Sequence, residues 1–332
     1  MFTIKKPAER DLRVLNLTDT HLTADEWEGG ESDKSGGKNR KILEYTIGEL
    51  MKKTSPDLVT ISGDITFADF PRADLAYENF ADLMESYKTP WAFVWGNHDN
   101  QAGAAEASRH ADILLSRPHC LFEKGDPELG CGNYVIRIDE GEKPTYAIFM
   151  MDSHDRFDFT DADGTVTKKW GHLTKPQLEW YKNEVGKLGG LKSTLIMHIP
   201  YYAYREAFDA AWNHDYDPKK VTPSESFDPK YWNEGYKTAY GSKYEDVGSY
   251  PADTGDFDFI RSVGSTELTL VGHEHVNNYV IDFGGTRIAY SLKTGAGCYW
   301  TPALNGGTLL SISEKGASLE HIFVNVDHIV NG

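Results

Sequence analysis

The 332-residue sequence predicts an α/β fold of two packed β-sheets with helices outside. Three observations carry this. Apolar runs that read as buried strands alternate with helical patterns in the front of the chain, β-rich runs crowd its end, and the front runs finish on polar clusters. The stretch 58–99 sets the pattern. Leu58-Val59-Thr60-Ile61 leads into Ser62-Gly63-Asp64, and Trp91 to Trp95 leads into Gly96-Asn97-His98-Asp99, with a helical pattern between them. Ligands of open α/β sheets bind beyond the carboxyl ends of the strands, so this one β-α-β unit sets a carboxylate, an amide and an imidazole on one rim.

Each element follows from local pattern. Arg13 to Thr18 is a short strand ending in Asp19-Thr20-His21, and a Gly/Ser/Asp-rich loop, Glu28 to Gly37, separates it from a helix whose Leu43, Ile47, Leu50 and Met51 share a face. Asp57 to Ile61 is the second strand. The helix from about Ala73 to Tyr87 aligns Tyr77, Phe80, Met84 and Tyr87 in a stripe suited to core packing, and Trp91 to Trp95 is the third strand. Ala102 to Leu115 is helical. Asn133 to Ile138 and Thr145 to Met151 are adjacent strands joined by a polar turn, and Thr174-Lys175-Pro176-Gln177 is a capping box that starts a helix running to about Gly186. Thr194 to Met197 is a buried strand ending at His198. Residues 200–256 lack sustained periodicity and are crowded with Tyr, Trp, Asp and Gly, which reads as an aromatic-rich lid over the rim. Its rings, including Tyr201, Tyr202, Trp212, Trp232 and Tyr236, serve either as a local core or as a stacking surface for substrate. Phe257 to Val263 is a short helix and Glu267 to Val271 a strand ending in Gly272-His273-Glu274-His275. Three or four β runs follow, near Tyr279–Phe283, Arg287–Ser291, Thr308–Ser313 and Leu319–Val326. With no internal repeat or linker, residues 1–332 read as a single domain.

Composition limits the partners. Hydrophobic residues at 39% and aromatics at 12% indicate a folded globular chain. A formal charge of −17 without a basic patch disfavours duplex nucleic acid and anionic membrane, although salt confines that field to about 8 Å. A small anionic substrate needs local positive charge, which bound metal ions can supply. Met1 to Pro7 has no apolar signal region, and no apolar run approaches the roughly 18 residues of a membrane span. As it stands the chain is expected to be soluble and cytoplasmic, or secreted if a signal peptide has been removed. Cys120, Cys131 and Cys298 are too few and too scattered for a disulfide framework or a thiolate zinc site.

The polar clusters carry the chemistry. Asp19, His21, Asp64, Asn97, His198, His273 and His275 combine carboxylate, imidazole and amide oxygen without thiolate, which suits borderline divalent ions such as Mn, Fe or Zn. Seven such ligands exceed what one ion takes, and two ions sharing a carboxylate fit better. A pair of this kind polarises a phosphoryl oxygen and lowers the pKa of a bridging water so that hydroxide can attack. Glycines before Asp64, Asn97 and His273 allow sharp turns and close backbone approach. His98 directly follows a ligand and is placed to donate a proton to the leaving oxygen.

In this order, Asp19-Thr-His21, Gly63-Asp64, Gly96-Asn97-His98-Asp99, His198 and Gly272-His-Glu-His275 resemble the motifs of the calcineurin-like metallophosphoesterase family. The resemblance implies a four-layer α-β-β-α sandwich with two packed mixed sheets. It also implies that Asp19, His21 and His275 hold one metal, that Asn97, His198 and His273 hold the other, and that Asp64 bridges them. His98 takes the family's general-acid role. Gly63 to Asp69 is similar to the purple acid phosphatase run, in which a tyrosine three residues after the bridging aspartate ligates ferric iron; here that residue is Phe67. Without a phenolate no purple colour is expected, and a pair of divalent ions is favoured over a ferric one. The protein phosphatases place aspartate there, so Phe67 also speaks against that branch.

Asp152-Ser153-His154 repeats the Asp-x-His pattern and reads as a turn or as support around the metals rather than as ligands. Asp99 either orients His98 or is a solvated acid. The reading is therefore a dinuclear phosphoesterase acting on a small phosphomonoester or phosphodiester. Its rivals are a cyclic nucleotide phosphodiesterase, another phosphodiesterase or a nuclease, and a non-catalytic regulatory protein on the same scaffold.

Overall fold

The computed structural model describes residues 1–332. Fifteen strands form: β1 Phe2–Lys6, β2 Leu12–Leu17, β3 Leu58–Ser62, β4 Trp91–Val94, β5 Cys120–Leu121, β6 Tyr134–Glu140, β7 Lys143–Met150, β8 Arg156–Thr160, β9 Val166–Trp170, β10 Ser193–Ile196, β11 Thr266–Val271, β12 Val280–Phe283, β13 Thr286–Tyr290, β14 Gly306–Ser313 and β15 Gly316–Phe323. They build a seven-stranded sheet in the order β1-β6-β7-β10-β11-β13-β12, a six-stranded sheet in the order β15-β14-β2-β3-β4-β5, and a separate hairpin β8-β9. Both large sheets are mixed. β2, β3, β4 and β5 run parallel in one, as do β7, β10, β11 and β13 in the other, with antiparallel strands completing each.

The period-two alternation of side chains sorts residues onto two faces. In β6 and β7, Ile136, Ile138, Ile148 and Met150 face the core shared with the six-stranded sheet, whereas Val135, Ala147 and Phe149 face a second core on the outer side. The helix Lys38–Thr54 covers the six-stranded sheet through Ile42, Leu43, Ile47 and Leu50, and Ala73–Ser86 does so through Ala76, Tyr77, Phe80 and Met84. On the opposite side Lys175–Lys187, Ala203–Ala211 and Asp256–Val263 cover the seven-stranded sheet. The Thr174–Gln177 capping box forms as the sequence reading expects. The four last strands are shared out, β12 and β13 to one sheet and β14 and β15 to the other.

Three features depart from the sequence reading. β1 pairs at the edge of the seven-stranded sheet, β8-β9 forms an extra hairpin, and residues 203–211 are helical. Within 200–256, Tyr201, Trp212 and Trp232 are buried in the outer core rather than offered to a ligand. Trp212 stacks on Phe208 at 5.3 Å between centroids and meets Trp232 edge-on at 5.1 Å. All three cysteines are free, and no helix is long and apolar enough to cross a membrane.

Removal of a ring from this outer core is expected to destabilise the whole fold. Trp212→Ala should cost about 3–5 kcal/mol in equilibrium urea unfolding. A loss below about 1 kcal/mol would show that 200–256 adds little to the core.

Candidate metal centre

The candidate ligands all lie just past the carboxyl ends of parallel strands. Asp19 and His21 follow β2, Asp64 follows β3, and Asn97 and His98 follow β4; from the facing sheet His198 follows β10, and His273 and His275 follow β11. Side chains adjacent to strand ends thus converge from two sheets on one rim. The backbone there is bent hard: Asp19, His21, Asp64 and His273 have φ of 56°, 53°, 54° and 75°. Left-handed conformations cost non-glycine residues about 1–3 kcal/mol each and persist only where the surroundings over-determine them. Hydrogen bonds between the loops do this, from Asp19 N to Gly63 O at 3.0 Å, from His21 N to Asp64 O at 3.2 Å and from Gly272 N to His198 O at 3.2 Å. Two glycines permit the crowding. A Cβ at Gly63, itself at φ 92°, would lie 2.6 Å from Gly96 N and 2.7 Å from His198 Nδ1, and one at Gly96 would collide with the Asp64 carboxylate.

Two nests result. In the first, His275 Nε2 lies 3.2 Å from Asp19 Oδ1 and 3.1 Å from His21 Nε2. In the second, His198 Nε2 lies 3.2 Å from Asp64 Oδ2, 3.1 Å from Asn97 Oδ1 and 3.3 Å from His273 Nδ1. Asp64 Oδ2 is also 3.4 Å from His21 Nε2, so this one oxygen faces both nests. Asp19, His21, Asp64 and His198 are essentially solvent-free.

The polarity of these contacts shows what the nests require. Imidazole Nδ1 of His198 donates to Ser62 O at 2.7 Å, and that of His275 donates to Tyr299 O at 2.7 Å. A carbonyl only accepts, so each Nδ1 carries the proton and each Nε2 turns a lone pair inward. Asp19 Oδ1 receives no hydrogen bond at all. Burial opposes charge on His198, yet the Asp64 carboxylate beside it raises its pKa to about 10, so a proton on Nε2 answers the same demand for positive charge that a metal would. Burial meanwhile holds His21 and His273 down to about 3. The donor set of carboxylate, imidazole and amide fits borderline divalent cations, and the groups Asp19-His21-His275 and Asp64-His198-His273 are each close enough to share an ion.

The half-buried His98 is held from three sides. Its backbone N–H donates to Asp64 Oδ1 at 2.9 Å, its Nδ1 pairs with Gln101 Oε1 at 2.7 Å, and Gln101 Nε2 in turn donates to Asp69. The Phe67 ring packs 4.7 Å from it edge-on and 4.8 Å from His21. Asp99 is neither an orienter of His98 nor a solvated acid. Fully buried, it accepts from the backbone N–H of Asp64 at 2.7 Å, Ile65 at 3.2 Å, Thr66 at 3.5 Å and Gly96 at 2.9 Å, and from Tyr77 Oη at 2.8 Å, so it pins the bridging loop. Burial and the nearby Asp64 push its pKa up to about 7. Asp152 and His154 stay outside the nests: Asp152 accepts from Asn100 and Cys131, and His154 pairs with Gln177.

Other neighbours escaped the sequence reading. Gln101 could have been found, because three residues on one helical turn separate it from His98. Lys293 and Trp170 left no local signal, and Tyr299 none beyond aromaticity. Lys293 is buried and donates to the Asp19 carbonyl, burial lowering its pKa to about 8. Tyr299 stacks on His275 at 4.0 Å, and Trp170 of the β8-β9 hairpin meets His273 edge-on at 4.6 Å.

Comparison with known proteins places this geometry. Residues 12–277 match the Metallophos family model, calcineurin-like phosphoesterase. The phosphatase DCR2 of Saccharomyces cerevisiae is 25% identical over 355 residues, an alignment covering 98% of this chain and 54% of that protein. The probable inactive purple acid phosphatase 29 of Arabidopsis thaliana is 24% identical, covering 76% of this chain and 63% of its own. The chain thus spans about half to two thirds of the length of these curated relatives. A dimetal phosphatase from Danio rerio superposes with a TM-score of 0.55 at 12% identity, over 93% of this chain and 97% of that one, and so shares the fold. Both nests and His98 fall inside the matched span, and the chain belongs to the calcineurin-like phosphoesterase family.

Proposed function

We propose that the chain is a hydrolase that holds two divalent ions, Mn, Fe or Zn, and cleaves a small phosphomonoester or phosphodiester. The observation that carries this reading is the pair of inward-facing lone-pair nests joined by one Asp64 oxygen. Asp19, His21 and His275 hold one ion, Asn97, His198 and His273 the other, and Asp64 spans them. When bound, such a pair polarises the phosphoryl oxygen and supplies a water nucleophile at neutral pH.

The remaining work falls to side chains of this chain. Asp64 Oδ1 is engaged by the His98 N–H, which leaves Oδ2 for both nests and ties the proton donor to the bridge. His98 gives a proton to the leaving oxygen, and Gln101 and Asp69 fix the ring for that transfer. The Phe67 ring flanks the His21–His98 corner and offers it an apolar face. Duplex nucleic acid and anionic membranes are not partners in this reading, because a chain of charge −17 attracts anions only where local positive charge is held. Loss of chemistry on the same scaffold is disfavoured because all seven ligands and His98 are present.

Manganese-loaded protein should turn over p-nitrophenyl phosphate or its bis ester, lose that activity in chelator, and contain two metals per chain by elemental analysis. Activity that survives chelation would overturn the proposal, and the ratio of the two esters decides monoesterase against diesterase. Asp64→Asn should lose metal pairing and turnover together. His98→Ala should keep its metal and lose roughly 10²- to 10⁴-fold in kcat, while Gln101→Ala should lose about 2- to 10-fold in kcat, the worth of one hydrogen bond. Normal turnover by His98→Ala would remove its assigned role.

A further inference from the structure

Beside the metal centre lies a cavity of about 590 Å³, bounded in part by Phe67, Phe70, Lys34, Asn39, Arg72 and Cys298. Its size is within the range of small-molecule sites, about 300–1,000 Å³. Phe67 is a wall common to the cavity and the reaction centre, since its ring packs on both His21 and His98. Phe70 stacks on Phe67 at 4.7 Å and 21°, and yet remains 48% exposed. Cys298, which also lines the cavity, precedes the Tyr299 ring that stacks on His275.

We propose that this cavity receives the leaving group of the ester and that the leaving group is a planar aromatic, an assignment that rests on the phosphoesterase reading above. The argument is positional and chemical. His98 protonates the leaving oxygen, so the leaving group departs on the side of His98, where the Phe67 ring lies 4.7 Å from the imidazole and Phe70 stacks on Phe67 in turn. A half-exposed phenylalanine inside a concave site offers a flat apolar face to a second ring. The carboxylates that line it are engaged by neighbours, Glu26 accepting from Thr23 N and Asn39 Nδ2, and so leave room for a neutral ring. Arg72 is already paired with Asp25 and Glu28, which leaves the Lys34 ammonium to meet an acceptor on the edge of the ring.

The test compares two phosphate monoesters of matched leaving-group acidity, one aryl and one alkyl, on the manganese-loaded protein. Stacking of an aromatic ring is worth at least about fivefold. The aryl-to-alkyl ratio of kcat/KM should therefore fall by at least about fivefold in Phe70→Ala, through KM rather than kcat. Phe70→Leu, which restores apolar bulk without a ring face, should recover only part of the ratio. A ratio unchanged in Phe70→Ala overturns the cavity assignment. Calorimetric binding of phenylphosphonate against methylphosphonate reads the same preference without turnover. If Phe70→Ala erases the phenyl preference in a protein that hydrolyses neither ester, the cavity stands and the reaction falls. If the wild type shows no phenyl preference, the cavity assignment falls whatever the turnover.

Discussion

Two buried carboxylates, Asp19 and Asp64, face a ring of imidazoles and one amide oxygen, a donor-rich space whose charge has to be balanced by added positive charge. Everything around the rim follows from this constraint. Buried anions are stable only when paired, and the nearest buried cation, Lys293, sits behind the site and bonds the Asp19 main chain. Asp19 Oδ1 and Asp64 Oδ2 are left for charge brought from outside. The carbonyls of Ser62 and Tyr299 enforce the same demand by fixing His198 and His275 with their lone pairs inward.

Such an arrangement pulls itself apart unless the scaffold resists, and the resistance is visible in the backbone. Four of the seven candidate ligands sit in left-handed conformations, which the loop-to-loop hydrogen bonds and tight glycine contacts keep from relaxing. Asp99 is the strongest of these restraints. One carboxylate gathers four main-chain N–H groups and the Tyr77 hydroxyl, locking the turn that carries Asp64 to the turn that carries Asn97 and His98. Asp64 and His98, the proposed bridging ligand and proton donor, thereby share a single support. On that proposal the geometry of attack and the geometry of leaving-group protonation cannot drift independently.

How far the sequence discloses this depends on how local each signal is. The strands β2, β3, β4, β10 and β11 are legible because both their faces are buried and each ends abruptly on polar residues, and the same breaks expose the ligands. β1 and the β8-β9 hairpin are not, because Phe2–Lys6 and Arg156–Thr160 bury no residue fully and alternate half-buried with exposed positions over only five residues each. The helix Ala203–Ala211 is nine residues long amid aromatic loops whose burial comes from packing on a distant sheet. Asp99 stands in the motif itself, yet its task is invisible there, since four of its five partners belong to other elements brought near only by folding. Lys293, Tyr299 and Trp170 are illegible for the same reason.

The local charge balance explains how an acidic protein can receive an anion. On the proposed loading, two divalent ions bring +4 and the carboxylates of Asp19 and Asp64 return −2, leaving about +2 at the base of the site. Salt limits the reach of the remaining surface charge to about 8 Å, so a phosphate entering the rim responds to this local excess more than to the net −17. Phe67 matters to that balance. A tyrosinate at the same position would add another negative charge and favour a trivalent ion, whereas the phenylalanine ring adds none and leaves the excess to the substrate. On the proposed loading Phe67, which offers the ions no ligand, also gives its face to the adjoining cavity, so that one side chain bears on both the charge at the site and the shape beside it.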